Sequence, residues 1–278
     1  MEFQTFGIVG YGHFGKFLAD SLSDYGKVLV TDVDAGKLES ASNGVRAVLI
    51  DEVVTADVVI LAVPFTALRE VLDDIRDSLP GDTVVMDVIS TKAHASYLLE
   101  SVLSEHPHLL ATHPLFGPPS MPRIGAGDRL VVTYERGRRA AEFRGFLEAR
   151  LGLEIVEVSP REHDEAMAYM QSLPFFIARA LVRLDLPFRD ELTIPSYRKL
   201  AEIAAIEEEH TVDMFDTSQV SNPYAEEARR RFLEVLGGLQ REIEEHAARG
   251  PALALPDLDD VATPRRAPSP AKDPSPKS

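Results

Sequence analysis

The sequence predicts an α/β protein in which an N-terminal, doubly wound Rossmann-type sheet is followed by an all-helical C-terminal domain. Short apolar runs alternate with amphipathic segments over residues 1–158, as expected for a parallel sheet with crossover helices. A glycine-rich turn follows the first apolar run, at Gly10, Gly12 and Gly15. From Ser159 onward only helical periodicity is evident, and Ser159 is placed to cap a helix with Pro160 in its first turn.

The glycine-rich turn is predicted to bind a dinucleotide. Gly10 allows a tight turn, Gly12 lets the backbone approach a pyrophosphate, and Gly15 lets the following helix pack against the strand. The turn includes His13 and Phe14, and the N–H groups at the start of the helix would face the phosphates. A glycine-rich turn without a ligand is the alternative. The strand before the turn and the helix after it favour the dinucleotide.

Asp32 predicts which dinucleotide is bound. It ends the second apolar run, about twenty residues after the glycine turn, where a carboxylate accepts hydrogen bonds from both hydroxyls of an adenosine ribose. A 2′-phosphate at that place would meet like charge. We therefore expect NAD rather than NADP as the cofactor.

The alternation of strands and helices continues after Asp32. Residues 57–63 form a nearly unbroken apolar run, typical of a strand buried on both faces, and Pro64 ends it. Because ligands of open α/β sheets bind at the carboxyl ends of the strands, we expect Val63 and Pro64 to lie against the dinucleotide. A simple strand-to-helix corner is the alternative. The other predicted elements are strands at 46–50, 83–88, 109–112, 130–134 and 154–158, helices at 65–79, 93–104 and 138–151, and later helices at 161–184 with a kink at Pro174, at 196–209 and at 223–246.

These patterns divide the chain into three parts. A dinucleotide-binding domain is predicted at 1–158 and a helical domain at 159–248. The remaining segment, 249–278, contains seven of the nineteen prolines and few aromatic residues. Such a segment buries too little apolar surface to offset the entropy lost on ordering, so we expect it to be disordered.

Composition excludes several classes of function. The net charge of -16 leaves no basic surplus to neutralise phosphates, so neither nucleic acid nor an anionic membrane is an expected partner. The absence of cysteine excludes disulfides, thiolate metal sites and a cysteine nucleophile, and we expect no metal. No signal-like start and no apolar run of membrane-spanning length is present. We expect a cytoplasmic protein that acts on a small molecule.

Two polar turns are expected at the carboxyl edge of the later strands, one at Ser90-Thr91-Lys92 and one at Thr112-His113. His113 is followed by a rigid, proline-rich loop, and histidine is the natural base for removing a hydroxyl proton while hydride leaves the same carbon. Ser90 would orient the histidine or the substrate hydroxyl, and Lys92 would meet a substrate carboxylate. A surface or structural role for His113 is the alternative.

Taken together, the motifs resemble those of the prephenate/arogenate dehydrogenases, the TyrA enzymes of tyrosine biosynthesis. The resemblance extends over roughly residues 6–240. It rests on the glycine fingerprint, DVISTK at 87–92, THPLFGP at 112–118, REHDEAMAYMQSLPFF at 161–176 and IPSYRKLAEIA at 194–204.

In that family the reaction is an NAD(P)-linked oxidative decarboxylation of a cyclohexadiene. The resemblance implies that His113 hydrogen-bonds the ring hydroxyl and accepts its proton as hydride passes to the nicotinamide. The ring carboxylate then leaves as CO2. It further implies that Ser90 supports the hydroxyl and the histidine, and that the helical domain forms a homodimer and supplies substrate-binding groups.

Two positions leave the side-chain end of the substrate open. Where many prephenate-using members carry a carboxylate-binding arginine, this sequence has Ala204-Ala205. The resemblance suggests that Arg198 binds the carboxylate instead, with a helix-surface arginine as the alternative. Gln171 stands where some members carry histidine and others glutamine, and is expected to contact substrate. Prephenate, arogenate and 4-amino-4-deoxyprephenate are candidate substrates, with prephenate first because it is the commoner one.

Two alternatives of other kinds remain. A non-catalytic NAD(H)-binding regulator would need only the dinucleotide fingerprint, so the presence of His113, Ser90 and Lys92 speaks against it. A β-hydroxyacid dehydrogenase is a weaker alternative, because the helical lysine–asparagine pair of those enzymes is not found in the sequence.

Overall fold

The structure is a computed structural model that describes residues 3–42, 44–118, 123–185, 190–208 and 212–249. These residues include an eight-stranded sheet covered by helices on both faces. The strands are β1 (Thr5–Val9), β2 (Lys27–Thr31), β3 (Val45–Ala47), β4 (Val58–Leu61), β5 (Val84–Asp87), β6 (Leu109–Pro114), β7 (Arg129–Arg136) and β8 (Glu154–Glu157).

The order of the strands indicates where on the sheet a ligand is expected to bind. Six strands run parallel in the order β3-β2-β1-β4-β5-β6, while β7 pairs antiparallel with β6 and β8 pairs parallel with β7. The chain order reverses between β1 and β4, and at such a switch point an open α/β sheet leaves a crevice for ligands. The predicted Rossmann-type sheet is confirmed.

Helices cover the sheet and continue beyond it. Most are joined to the strands by short turns, as in other doubly wound folds. The helices are α1 (His13–Leu22), α2 (Ala35–Leu38), α3 (Ile50–Val53), α4 (Phe65–Ile75), α5 (Ala93–Val102), α6 (Arg138–Leu151), α7 (Pro160–Met167), α8 (Leu173–Arg183), α9 (Pro195–Glu208), α10 (Val212–Asp216) and α11 (Ala225–Arg249), with 3-10 turns at Arg76–Ser78 and Asp190–Leu192.

Two apolar layers explain why the central strands are apolar on both faces. On one face α1 and α6 pack against side chains such as Ile8, Ile60 and Leu110. On the other face α3, α4 and α5 pack against neighbours such as Val59 and Leu61. Each fully buried aliphatic side chain contributes about 1.5–3 kcal/mol. The strand ends at the carboxyl edge are therefore held by a well-packed core.

Two strands differ from the sequence prediction. β3 is shorter than the predicted 46–50 because α3 starts at Ile50, with Asp51 and Glu52 in its first turn, where acidic side chains favour a helix. β6 is longer than the predicted 109–112 and runs through Pro114. His113 is therefore part of a strand, and the prediction of a polar turn at Thr112-His113 is wrong.

The long helix predicted at 161–184 is interrupted. α7 ends at Met167, a π-helical segment covers Ala168–Ser172, and α8 begins at Leu173 with Pro174 in its first turn. Proline lacks an N–H and its ring clashes with the carbonyl four residues earlier, so a wider turn before it relieves both problems. The predicted break near Pro174 is thus present, as a π turn rather than a simple kink.

The chain divides into two compact units, residues 1–232 and 233–278. The described part of the second unit, 233–249, is the C-terminal portion of α11. The segment predicted to be disordered lies, apart from Arg249, outside the described residues. Within the described ranges, no helix has the length and apolar character that crossing a membrane requires.

Candidate active site

The glycine turn lies at the carboxyl end of β1, at the switch point. Gly10 has φ +98°, and a Cβ there would lie 2.4 Å from the carbonyl oxygen of Ala62, so only glycine fits. A Cβ at Gly15 would lie 2.0 Å from the Gly10 oxygen, so only glycine lets α1 pack this closely. Gly12 differs, because nothing lies within 4 Å of the position of its Cβ. The protein's own packing does not require glycine there, whereas an approaching pyrophosphate would.

The start of α1 is suited to an anion. Gly12 is its N-cap, no side chain caps the helix, and its first turn contains no acidic residue. His13 is exposed and Phe14 is half-buried at this end of the helix. The unpaired N–H groups and the positive end of the helix dipole are therefore available to phosphate oxygens.

Asp32 follows β2, beside the glycine turn. Its carboxylate accepts hydrogen bonds from the N–H of Tyr11 at 2.7 Å and of Asp34 at 2.8 Å, and Lys37 Nζ lies 3.2 Å from Oδ1. Partial burial acts to raise the pKa of Asp32, but these two N–H groups and the ammonium of Lys37 hold it below its ordinary value. The group is ionised, as acceptance of two ribose hydroxyls requires.

Val63 and Pro64 follow β4, the neighbour of β1. Val63 Cγ1 lies 3.1 Å from the position of a Cβ at Gly10, so it borders the glycine turn. Pro64 is exposed and forms the N-cap of α4. Both residues lie at the edge of the sheet where a bound dinucleotide would run.

His113 lies near the carboxyl end of β6, at the same edge. Pairing between β6 and β7 is irregular between Ala111 and Thr112, where Thr133 is an extra residue on β7. Bulges of this kind bend a strand and re-aim the side chains next to them. The side chain of His113 follows the bulge directly and is only 5% exposed.

A buried hydrogen-bonded chain runs from His113 into α7. His113 Nδ1 lies 2.9 Å from His163 Nε2, and His163 Nδ1 lies 2.7 Å from Asp164 Oδ1. The two imidazole rings are T-shaped, with centroids 5.1 Å apart. The first helix after the sheet thus supplies the hydrogen-bond partner of the predicted base, His163.

The pKa of His113 is lowered well below its ordinary value. Burial is the largest cause, followed by the nearby His163 and the ammonium of Lys92. His113 is therefore neutral at physiological pH and has a lone pair with which to accept a proton.

Lys92 has no exposed surface and forms an ion pair with Asp87, which is also completely buried. Its ammonium also donates to the carbonyl oxygen of Thr112 at 2.6 Å. Burial raises the pKa of Asp87 and lowers that of Lys92, and the contact between the two opposes both shifts. Through these contacts Lys92 ties the ends of β5 and β6 together.

Three other predicted residues lie at different depths. Ser90 is half-buried in the turn after β5, and Gln171 is half-buried in the π-helical segment. Arg198 lies on the exposed side of α9. The described contacts join His113 to the 87–93 turn through His163 and Asp164, and neither Gln171 nor Arg198 is among these partners.

Sequence reasoning missed His163 and Asp164. Both occur in the REHDEAM stretch that carries part of the family resemblance, and a histidine–aspartate pair just after a helix cap was the available signal. Only the fold reveals that both are buried and point at β6 and at the start of α5.

The fold and the site together define a Rossmann-type nucleotide-binding protein with a buried, neutral histidine at the ligand edge of its sheet. A family model described as "Prephenate dehydrogenase, nucleotide-binding domain" matches residues 18–128. This part of the chain is therefore similar to the nucleotide-binding domain of prephenate dehydrogenases.

Relatives with curated functions are similar over most of the chain. Arogenate dehydrogenase 1, chloroplastic, of Arabidopsis thaliana is 28% identical over 214 residues, which cover 71% of this chain and 33% of that protein. A probable arogenate/prephenate dehydrogenase of Methanocaldococcus jannaschii is 25% identical over 240 residues, covering 81% of this chain and 53% of that protein. The chain thus spans about a third and about a half of the lengths of these two relatives.

Solved structures support the fold. Prephenate dehydrogenase from Aquifex aeolicus, in complex with hydroxyphenyl propionate and NAD+, superposes with a TM-score of 0.71 at 21% identity, covering 90% of this chain and 93% of that chain. Synechocystis arogenate dehydrogenase gives a TM-score of 0.64 at 18% identity, with coverage of 88% and 93%.

Proposed function

We propose that the protein is an NAD-dependent dehydrogenase that oxidatively decarboxylates a cyclohexadiene carboxylate, with prephenate as the first candidate substrate. The observation that carries this proposal is the buried, neutral His113 at the same edge of the sheet as the open glycine turn. β1 and β6 are three strand spacings apart, roughly 14 Å at the usual spacing. A dinucleotide whose pyrophosphate lies at Gly12 would extend over β4 and β5 and bring its nicotinamide toward His113.

His113 has one main task in this reaction. It accepts the proton of the ring hydroxyl as the O–H bond breaks and the hydroxyl carbon becomes a carbonyl carbon. NAD, when bound, supplies the hydride acceptor. The bond between the ring and its carboxylate then breaks, CO2 leaves, and the electron pair completes an aromatic ring. Because aromatisation drives this step, the protein's remaining tasks are to position the substrate and to exclude water.

The buried Asp87–Lys92 ion pair supports the site. It ties the turn that contains Ser90 to β6, the strand that contains His113. We therefore propose a structural role for Lys92, and a role for Ser90 in orienting the substrate hydroxyl or His113.

Asp32 supports NAD as the cofactor, and its substitution is a direct test. Replacing Asp32 with alanine should weaken NAD binding and reduce discrimination against NADP, because the carboxylate that meets the ribose hydroxyls is lost while the Lys37 ammonium remains. Dissociation constants of both cofactors, measured by isothermal titration with the unmodified protein and the variant, check this. A preference for NADP in the unmodified protein would contradict the role of Asp32.

The substrate is tested by initial rates of NADH formation with prephenate, arogenate and 4-amino-4-deoxyprephenate in parallel. We expect prephenate to give the highest kcat/KM. Gln171 and Arg198 are proposed to contact the side-chain end of the substrate, so Arg198→Gln should raise KM more than it lowers kcat. A large preference for one of the other two compounds would replace prephenate while leaving the reaction class unchanged.

A non-catalytic NAD(H)-binding regulator is the alternative from another class. It would bind NADH tightly and turn over none of the three compounds. The chain of buried groups behind His113 favours catalysis, because a sensor has no use for a base held in one orientation.

We further propose that the helical residues after Ser159 form the substrate and dimerisation domain and that the protein is a homodimer. In α11, Leu236, Leu239 and Ile243 recur at helical spacing and are 45%, 49% and 64% exposed. An apolar stripe of this kind on a helix favours burial against a second copy.

The dimer proposal predicts that a Leu236→Arg/Ile243→Arg double variant is a monomer. Two desolvated charges opposed by their symmetry mates would disfavour association. Sedimentation equilibrium checks this, with Glu242→Arg, a charge change on the same helix, as the matched control. A monomeric unmodified protein would contradict the proposal.

A further inference from the structure

We propose that Asp164 and His163 act as positioning residues for His113: they fix which of its ring nitrogens carries the proton, and they share the positive charge that His113 acquires. The catalytic consequence of this inference rests on the proposed function, whereas the tautomer itself does not.

The first step is the state of Asp164. Its Oδ1 accepts from the N–H of Lys92 at 2.8 Å and lies 2.7 Å from His163 Nδ1, and its Oδ2 accepts from the N–H of Ala93 at 2.8 Å. The two main-chain N–H donors and the start of α5 all favour a carboxylate that acts as an acceptor. Asp164 is therefore an acceptor only, and His163 Nδ1 must carry a proton.

The second step follows from the proton on His163 Nδ1. In an imidazole whose one proton is on Nδ1, Nε2 has a lone pair and can only accept. Its partner at 2.9 Å is His113 Nδ1, which must therefore donate. The proton of neutral His113 lies on Nδ1, and the lone pair that accepts the substrate proton is on Nε2.

The third step concerns charge. When His113 Nε2 accepts a proton, its Nδ1 proton can shift toward His163, and the nearest negative charge behind both rings is the carboxylate of Asp164. The chain of groups is buried, so this stabilisation is not weakened by solvent. Arrangements of three residues in which a carboxylate orients a histidine base recur in unrelated enzymes.

The hydrogen-bonded chain of His113, His163 and Asp164 is held in place by neighbouring residues. Asn222 donates to the main-chain oxygen of Asp164 at 2.9 Å. A capping box between Ser159 and Glu162 fixes the start of α7, and Glu162 directly precedes His163. Both ring nitrogens of His163 have partners, so its orientation is determined by the fold.

The tautomer is tested in the full-length protein without substrate. Long-range 1H–15N correlation spectra of histidine-labelled protein report which ring nitrogen is protonated, and His113→Asn identifies the signals of His113. We expect the Nδ1–H form in the unmodified protein and in His163→Gln, whose amide oxygen can still accept from Nδ1. In His163→Leu the acceptor is lost, and we expect the Nε2–H form to become populated.

A matched control is His106→Gln. His106 is half-buried and its Nε2 bonds a main-chain oxygen, that of Thr83 at 2.7 Å, but it lies at the opposite edge of the sheet. It should leave the signals of His113 unchanged. An Nε2–H tautomer in the unmodified protein, or unchanged His113 signals in His163→Leu, would overturn the proposal. If His163→Leu does not fold, the unmodified protein and His163→Gln decide the question.

Turnover tests the charge-sharing part. His163→Leu should lower kcat by about 10²-fold with little change in KM, because a misplaced base affects the chemical step more than binding. The kcat of His163→Gln should lie between those of the unmodified protein and of His163→Leu, because glutamine orients His113 without accepting its proton. Equal kcat for all three proteins would refute charge sharing. Absence of turnover in the unmodified protein would instead refute the proposed function and leave the tautomer result standing.

Discussion

His113→Asn is expected to lower turnover by about 10²–10⁴-fold, the usual contribution of a positioned general base. Affinity for NAD should stay close to that of the unmodified protein, because the residues that fit the dinucleotide lie at β1, β2 and β4. Asparagine is close in size to the first part of the imidazole and can retain a contact with His163. Steady-state rates and NAD titrations of the two proteins measure both quantities. Near-normal turnover in the variant would remove His113 from its assigned role.

The pH dependence of the unmodified protein follows from the same residue. Because the pKa of His113 lies well below its ordinary value, kcat/KM should be constant around neutral pH and should fall only at acidic pH, as Nε2 becomes protonated. The same shift affects stability. The unfolded chain binds this proton more readily than the folded one, so the contribution of His113 to stability decreases as pH falls below the ordinary value of about 6.5.

Lys92→Met is expected to produce the largest loss of stability, about 3–5 kcal/mol. The substitution leaves the carboxylate of Asp87 completely buried without its counter-charge and removes the donor to Thr112. Urea unfolding followed by circular dichroism measures the effect. Arg161→Gln breaks an exposed ion pair with Glu165 and should change the unfolding midpoint little.

A second variant separates the buried charge from the lost packing. In Asp87→Asn/Lys92→Met the uncompensated carboxylate is absent, so part of the lost stability should return. If Lys92→Met alone were as stable as the unmodified protein, the structural role of Lys92 would be contradicted and Lys92 would again be a candidate for substrate binding.

The fold could be predicted because its signals are local. The glycine turn, the acid after the second strand and the apolar run before Val63 each depend on a few neighbouring residues. Gly10 and Gly15 report close backbone approaches that exclude any side chain, so their spacing alone indicates the strand–turn–helix unit.

The interior of the site could not be predicted because its contacts join distant segments. Lys92 and Asp87 are five residues apart, but their complete burial depends on β6 and on α7. The sequence alone does not distinguish a histidine that faces solvent from one that, like His163, faces the core. The extension of β6 past Thr112 depends on pairing with β7, and the π turn before Pro174 depends on how one helix accommodates a proline.

The central claim is that the protein carries out hydride transfer and decarboxylation on one substrate. The most direct measurement is the yield of NADH and of CO2 from NAD and prephenate, in the same reaction, with purified protein. We predict equimolar amounts of both, produced by the unmodified protein and lost together in His113→Asn. NAD binding without either product, from prephenate or from the two related cyclohexadienes, would contradict the account.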